Sequence, residues 1–90
     1  SVAEAEATII NRRGLHARAS AKVCAVAAAW DAEIRIARDT DEVNAKSIMG
    51  LLMLGAAQGA VVRIRAVGPR AAEAVDTIVK LIADRFGEGE

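Results

Sequence analysis

Ninety residues with 12 basic and 12 acidic side chains carry a formal net charge of zero, and 53% of the chain is hydrophobic, much of it alanine. A chain this short buries roughly 60–68% of its unfolded surface, which allows one core and one domain over residues 1–90, with all function on its surface. Zero net charge argues against a nucleic-acid or membrane partner held by bulk charge, the single cysteine Cys24 excludes an internal disulfide, and no CxxC or Cys/His cluster offers a metal site.

Ala3 to Ile9 place apolar residues at odd positions, with Glu4, Glu6 and Thr8 between them, and this predicts a strand with one buried face. Asn11-Arg12-Arg13-Gly14 breaks it. Ala17 to Ala29 predicts an alanine-rich amphipathic helix with Val23, Cys24 and Ala27 on its inner side, ended by Trp30-Asp31. Cys24 is expected against the sheet and Trp30 at the helix end. Ala32, Ile34 and Ile36 alternate with Glu33 and Arg35 as a second strand, and Asp39-Thr40-Asp41 is turn chemistry leading to a short third strand, Glu42 to Ala45.

Ser47 opens a short helix, Ile48 to Leu54, closed by Gly55 and Gly59. Ala60 to Val67 predicts a fourth strand, with Val62, Ile64 and Ala66 on one face and Arg63 and Arg65 on the other. Gly68-Pro69 predicts the start of a last helix with proline at its first position, a 3.6-residue stripe from Ala71 to Arg85, a stop at Gly87 and a frayed Glu88-Gly89-Glu90. The order βαββαβα predicts an α+β two-layer open-faced sandwich: a four-stranded, mainly antiparallel sheet with three helices on one face. No stretch approaches the ~20 apolar residues of a membrane helix, and Ser1-Val2-Ala3-Glu4 lacks the basic start of a signal peptide, so a cytoplasmic protein is expected.

Three features stand out. His16, the only histidine, lies in Gly14-Leu15-His16-Ala17-Arg18 at the start of the first helix. The backbone N–H groups of Ala17 and Arg18 and the Arg18 guanidinium can converge there on a phosphate, and the helix end favours an unprotonated, nucleophilic imidazole. A lone histidine at a helix start is equally a plain capping residue. Ser47, before an apolar run, is a natural N-cap and also a place where a phosphate would be tolerated. The run Ile48 to Leu54 holds more large apolar side chains than one stripe can bury, which marks Ile48, Met49 and Leu52 as a docking surface unless neighbouring loops cover them.

Gly14-Leu15-His16-Ala17-Arg18 and Lys46-Ser47-Ile48-Met49-Gly50, at this separation, resemble HPr, the histidine-containing phosphocarrier family of the bacterial phosphoenolpyruvate-dependent phosphotransferase system. The resemblance runs from about Ala3 to Phe86. It implies that His16 accepts a phosphoryl group on Nδ1 from enzyme I and passes it to an enzyme IIA histidine, with Arg18 neutralising the phosphoryl oxygens. It also implies that Ser47 is the position modified by HPr kinase/phosphorylase, and that partners dock through the helix after Ser47. No cofactor or metal is implied, and a monomer is expected.

The family commonly carries proline after the arginine, where this chain has Ala19. Leu51-Leu52-Met53-Leu54 and Gly68-Pro69 also resemble the nitrogen-related regulatory branch, so sugar import and regulation both remain open. The alternative to a phosphocarrier is a non-catalytic regulatory module that docks through Ile48 to Leu54. An independent enzyme has too little machinery here, with one histidine and no carboxylate pair in a motif.

Overall fold

The strand that organises the sheet is the last one in the sequence. In a computed structural model that describes residues 1–90, β4 (Val61–Val67) pairs on one side with β1 (Val2–Thr8) and on the other with β2 (Glu33–Arg38), and β3 (Asp41–Asn44) closes the far edge of β2. All three pairings are antiparallel. The helices are α1 (Ala17–Ala28), α2 (Ile48–Leu54) and α3 (Ala71–Ala83), and the order is the expected βαββαβα.

Register explains the layering. Ala3, Ala5 and Ala7 of β1 lie opposite Ala66, Ile64 and Val62, and Ile34 and Ile36 of β2 lie opposite Ala66 and Ile64, so one face of the sheet is wholly apolar. The small residues of β1 let α3 approach, and its stripe Ala71, Ala74, Val75, Ile78 and Ile82 is buried. These residues belong to one core of 21 buried side chains, the least exposed including Phe86, Ile34, Ile64 and Leu51. The other face carries Arg63, Arg65, Glu4 and Glu6 in water, with an ion pair between Arg65 and Glu4 at 3.6 Å.

Several elements differ from the sequence expectation. β2 continues to Arg38, because β3 gives Ala37 and Arg38 partners in Glu42 and Asp41. Pro69 is not the first residue of α3: it sits in a turn, and Arg70, in the left-handed conformation at φ 56°, is the N-cap. That position lets the Arg70 guanidinium hold Glu73 in the first turn of α3, at 2.5 and 3.0 Å, and lie 4.9 Å from the centre of the Trp30 ring. Trp30 stands at the end of α1, as expected, and its indole N–H donates to Thr77. Cys24 is only half-buried, and its thiol donates to the Lys46 carbonyl at the entrance to α2 rather than packing into the sheet.

The end of α3 departs furthest. The helix stops at Ala83, and Arg85 and Phe86 both take positive φ, 54° and 53°, in a 3-10 turn. Arg85 is therefore exposed and outside the helical stripe. Left-handed backbone at two non-glycine residues costs about 1–2 kcal/mol each. Burial of Phe86, worth roughly 2–3 kcal/mol, and the hydrogen bonds that the reversed chain makes offset that cost. Glu88, Gly89 and Glu90 are not frayed: they return across the start of α1.

Candidate functional site

The loop after β1 is fixed from below. Asn11 is fully buried, and its Nδ2 donates to the Gly14 carbonyl at 2.8 Å while its Oδ1 has no partner. Gly14 sits at φ 67°, and a β-carbon there would lie 2.7 Å from the Ala56 carbonyl oxygen, so only glycine lets the loop lie on the segment after α2. Leu15 N–H donates to that same Ala56 carbonyl at 2.8 Å. The chain therefore enters α1 from a rigid platform.

His16 is the N-cap of α1, in extended conformation, and its Nδ1 accepts from the Arg18 backbone N–H at 3.3 Å. The first intrahelical bond runs from Ser20 N–H to the His16 carbonyl at 2.8 Å. Ala17 and Ala19 contribute N–H groups at the same helix end that bond to nothing within the protein. The structure places His16 at the N-cap, with Ala17 and Arg18 as the first two residues of the helix. The Arg18 N–H faces the nitrogen itself, at a length that leaves it free to shift to an incoming anion.

Beside the imidazole lies an open hollow of about 250 Å³, walled only by polar and glycine residues: Arg13, Arg18, Lys22, Gly87, Glu88 and Glu90. Three cations and two carboxylates thus share its wall, and the cations can take an anion.

Sequence reasoning missed Glu88. Its Oε2 is bonded to His16 Nε2, and its Oε1 accepts from Asn11 Nδ2 at 3.0 Å. The Glu88 side chain retains 12% of its exposure and that of His16 24%, so the contact is largely shielded from solvent. The hydrogen bond from His16 holds the Glu88 carboxyl below the usual carboxylate range, against the opposing effect of burial, and Asn11 and the Arg13 charge pull in the same direction. The available signal was Phe86, a large apolar residue beyond the helix and followed by Gly87.

Ser47 stands at the start of α2, where its Oγ accepts from Gly50 N–H at 3.0 Å, so the capping role is realised. No hydrogen bond joins it to His16; the two lie at the starts of neighbouring helices. Gly55, left-handed at φ 63°, ends α2 as expected. Leu51 and Leu54 are buried, whereas Ile48, Met49 and Leu52 are exposed at 43%, 69% and 38%, so neighbouring loops leave these side chains open. Met53, which the sequence reading did not single out, is the most exposed of the group at 81%.

With this geometry in hand, comparison with known proteins is informative. Residues 3–84 match the family model described as the PTS HPr component phosphorylation site. Phosphocarrier protein HPr of Cupriavidus necator is 48% identical over 85 residues, covering 94% of this chain and 96% of that protein. Phosphocarrier protein NPr of Shewanella violacea is 39% identical over 85 residues, covering 94% and 93%. The crystal structure of HPr from Thermoanaerobacter tengcongensis superposes with a TM-score of 0.92 at 42% identity, over 96% of this chain and 97% of that one. Fold and sequence agree: the chain belongs to the HPr family of phosphotransferase-system phosphocarriers.

Proposed function

We propose that this chain is a single-domain cytoplasmic carrier that accepts a phosphoryl group on His16 Nδ1 from enzyme I and hands it to a histidine of an enzyme IIA domain. The observation that carries the reading is the placement of His16 Nδ1 at the mouth of α1, facing the Arg18 backbone N–H, with Arg18 also lining a hollow that Arg13, Lys22, Gly87, Glu88 and Glu90 share. In the carrier, the N–H groups of Ala17 and Arg18 and the Arg18 guanidinium take the phosphoryl oxygens. The shallow hollow matches a relay, because a site that held the product tightly would not release it.

Partners dock on α2 and on the rim of the histidine. Ile48, Met49 and Leu52, with Met53 beside them, form an apolar patch next to the site, as a protein-docking surface requires. Ser47 caps the helix that carries that patch, so phosphorylation by an HPr kinase/phosphorylase would put a doubly charged group at the docking helix while the cap position tolerates it. The same patch is what a purely regulatory binding module would use.

Incubation with phosphoenolpyruvate and enzyme I tests the reading. The protein is expected to gain one acid-labile, base-stable phosphate that is absent from His16→Ala and present in Ser47→Ala. Full cellular function of His16→Ala, together with its loss in Leu52→Glu, would instead establish the regulatory module.

A further inference from the structure

Each ring nitrogen of His16 faces a partner of opposite character. Nδ1 faces a backbone N–H, which can only donate, so this nitrogen must present its lone pair. Nε2 faces a carboxylate, which can only accept, so this nitrogen must carry the proton. The two contacts lie at opposite edges of one imidazole and select one tautomer between them. We infer that Glu88 is a positioning residue for phosphoryl transfer: its carboxylate fixes the proton of His16 on Nε2, leaves the lone pair on Nδ1 at the start of α1, and offsets the ring charge that develops during transfer.

This inference rests on the reading of His16 as the phosphoryl acceptor and adds a second carboxylate-side function to it. As Nδ1 attacks, its lone pair forms the N–P bond, and the bond from phosphorus to the phosphorylated donor protein breaks, its electron pair leaving with the donor. The Nε2 proton stays in place, so the ring becomes a phosphorylated imidazolium carrying one positive charge. The Glu88 carboxylate stands directly across from that N–H. On return, the acceptor nucleophile bonds to phosphorus and the N–P electron pair goes back to Nδ1, restoring the neutral ring. Glu88 never touches phosphorus, and its partner on the other side is Asn11, which holds Oε1.

The carboxylate is delivered by parts of the chain that have no other reason to meet. Buried Phe86 anchors the reversed segment, Lys22 Nζ bonds its carbonyl at 2.5 Å, and Arg12 N–H bonds the Glu90 carbonyl at 3.0 Å, so Glu88 is held on both sides. The charged groups around the pair are Arg13 from the loop, Arg18 and Lys22 from α1, and Glu90 from the returning segment. Cations outnumber carboxylates there, which leaves Glu88 as the one anion in contact with the ring.

The test uses full-length protein with 15N-labelled histidine. Long-range 1H–15N spectra at about pH 8 should show the Nε2–H tautomer in the wild type. Glu88→Gln keeps an acceptor and should retain the tautomer, whereas Glu88→Ala should populate both forms. Both variants should slow phosphoryl uptake from enzyme I on the order of fivefold, the scale of a partly shielded ion pair. An Nδ1–H tautomer in the wild type would overturn the inference, as would uptake unchanged in both variants. Faster uptake in both would also overturn it and make Glu88 a plug in the phosphate's place. Phosphate retained by His16→Ala would defeat the acceptor reading, whereas the tautomer data report on Glu88 alone.

Discussion

Lys22 Nζ donates to the Phe86 carbonyl at 2.5 Å, although 64 residues separate the two in sequence. The bond ties the second turn of the histidine's own helix to the point where the chain reverses after α3. Helix and reversal are thus built as one unit, and the integrity of the site depends on a residue that lies beyond the last α-helix.

Phe86→Ala should therefore cost more than a surface change. Its side chain is fully buried, and large-to-small substitution of a core aromatic costs about 3–5 kcal/mol. Urea unfolding should show a loss of that size. Nuclear magnetic resonance of the folded variant should show the His16 ring signals shifting as Glu88 leaves.

The acidic limb of the stability profile should carry a signature of Glu88. Its carboxyl titrates below the usual range when folded and near about 4.3 in the unfolded chain. Between those values the unfolded state binds more protons, so this contribution rises with pH, is complete above about pH 5, and is lost as pH falls through the depressed value. Urea midpoints of the wild type and Glu88→Gln should accordingly differ at pH 5 and converge toward pH 3; a constant gap over that interval would show that the carboxylate is unpaired.

Ala19 occupies the third helical position of α1, where the backbone N–H has no protein partner. Proline there would remove a donor that bonds to nothing within the protein and fix φ near its helical value. Ala19→Pro should change the rate of phosphorylation by enzyme I less than about tenfold, or ~1.4 kcal/mol of barrier. Because Ala19 is fully buried, the ring has to be accommodated by its neighbours, and a larger rate change would identify Ala19 as a specialisation of this carrier.

Met53, at 81% exposure, gives a clean probe of the proposed docking face. Met53→Glu should leave folding stability within about 0.5 kcal/mol, as surface changes do. The same substitution should raise the enzyme I concentration needed for half-maximal phosphorylation, with little change at saturation. An unchanged concentration dependence would place docking elsewhere.

Helix α2 was legible to the residue because Ser47 and Gly55 punctuate it with side-chain and left-handed caps, both local in sequence. The strands were legible from alternation, and the site histidine from its position between a strand and a helix. Glu88 was not, because its partner is 72 residues away and is reached only through two left-handed residues that no propensity favours. The start of α3 was misplaced for a related reason. Pro69 satisfies the local rule for a first helical residue, but Arg70 is recruited by Glu73 and Trp30, and the turn is extended to let it reach them.

The position of β4 also sets a schedule. The central strand of the sheet is the last one made, and both β1 and β2 need it as a neighbour, so a ribosome must release residue 67 before the sheet can close. Until then only the β2–β3 hairpin has its partner strand available. His16 precedes β4, α3 and Glu88 in the chain, so its surroundings are completed only after those segments are made. The site therefore assembles with the sheet and not ahead of it.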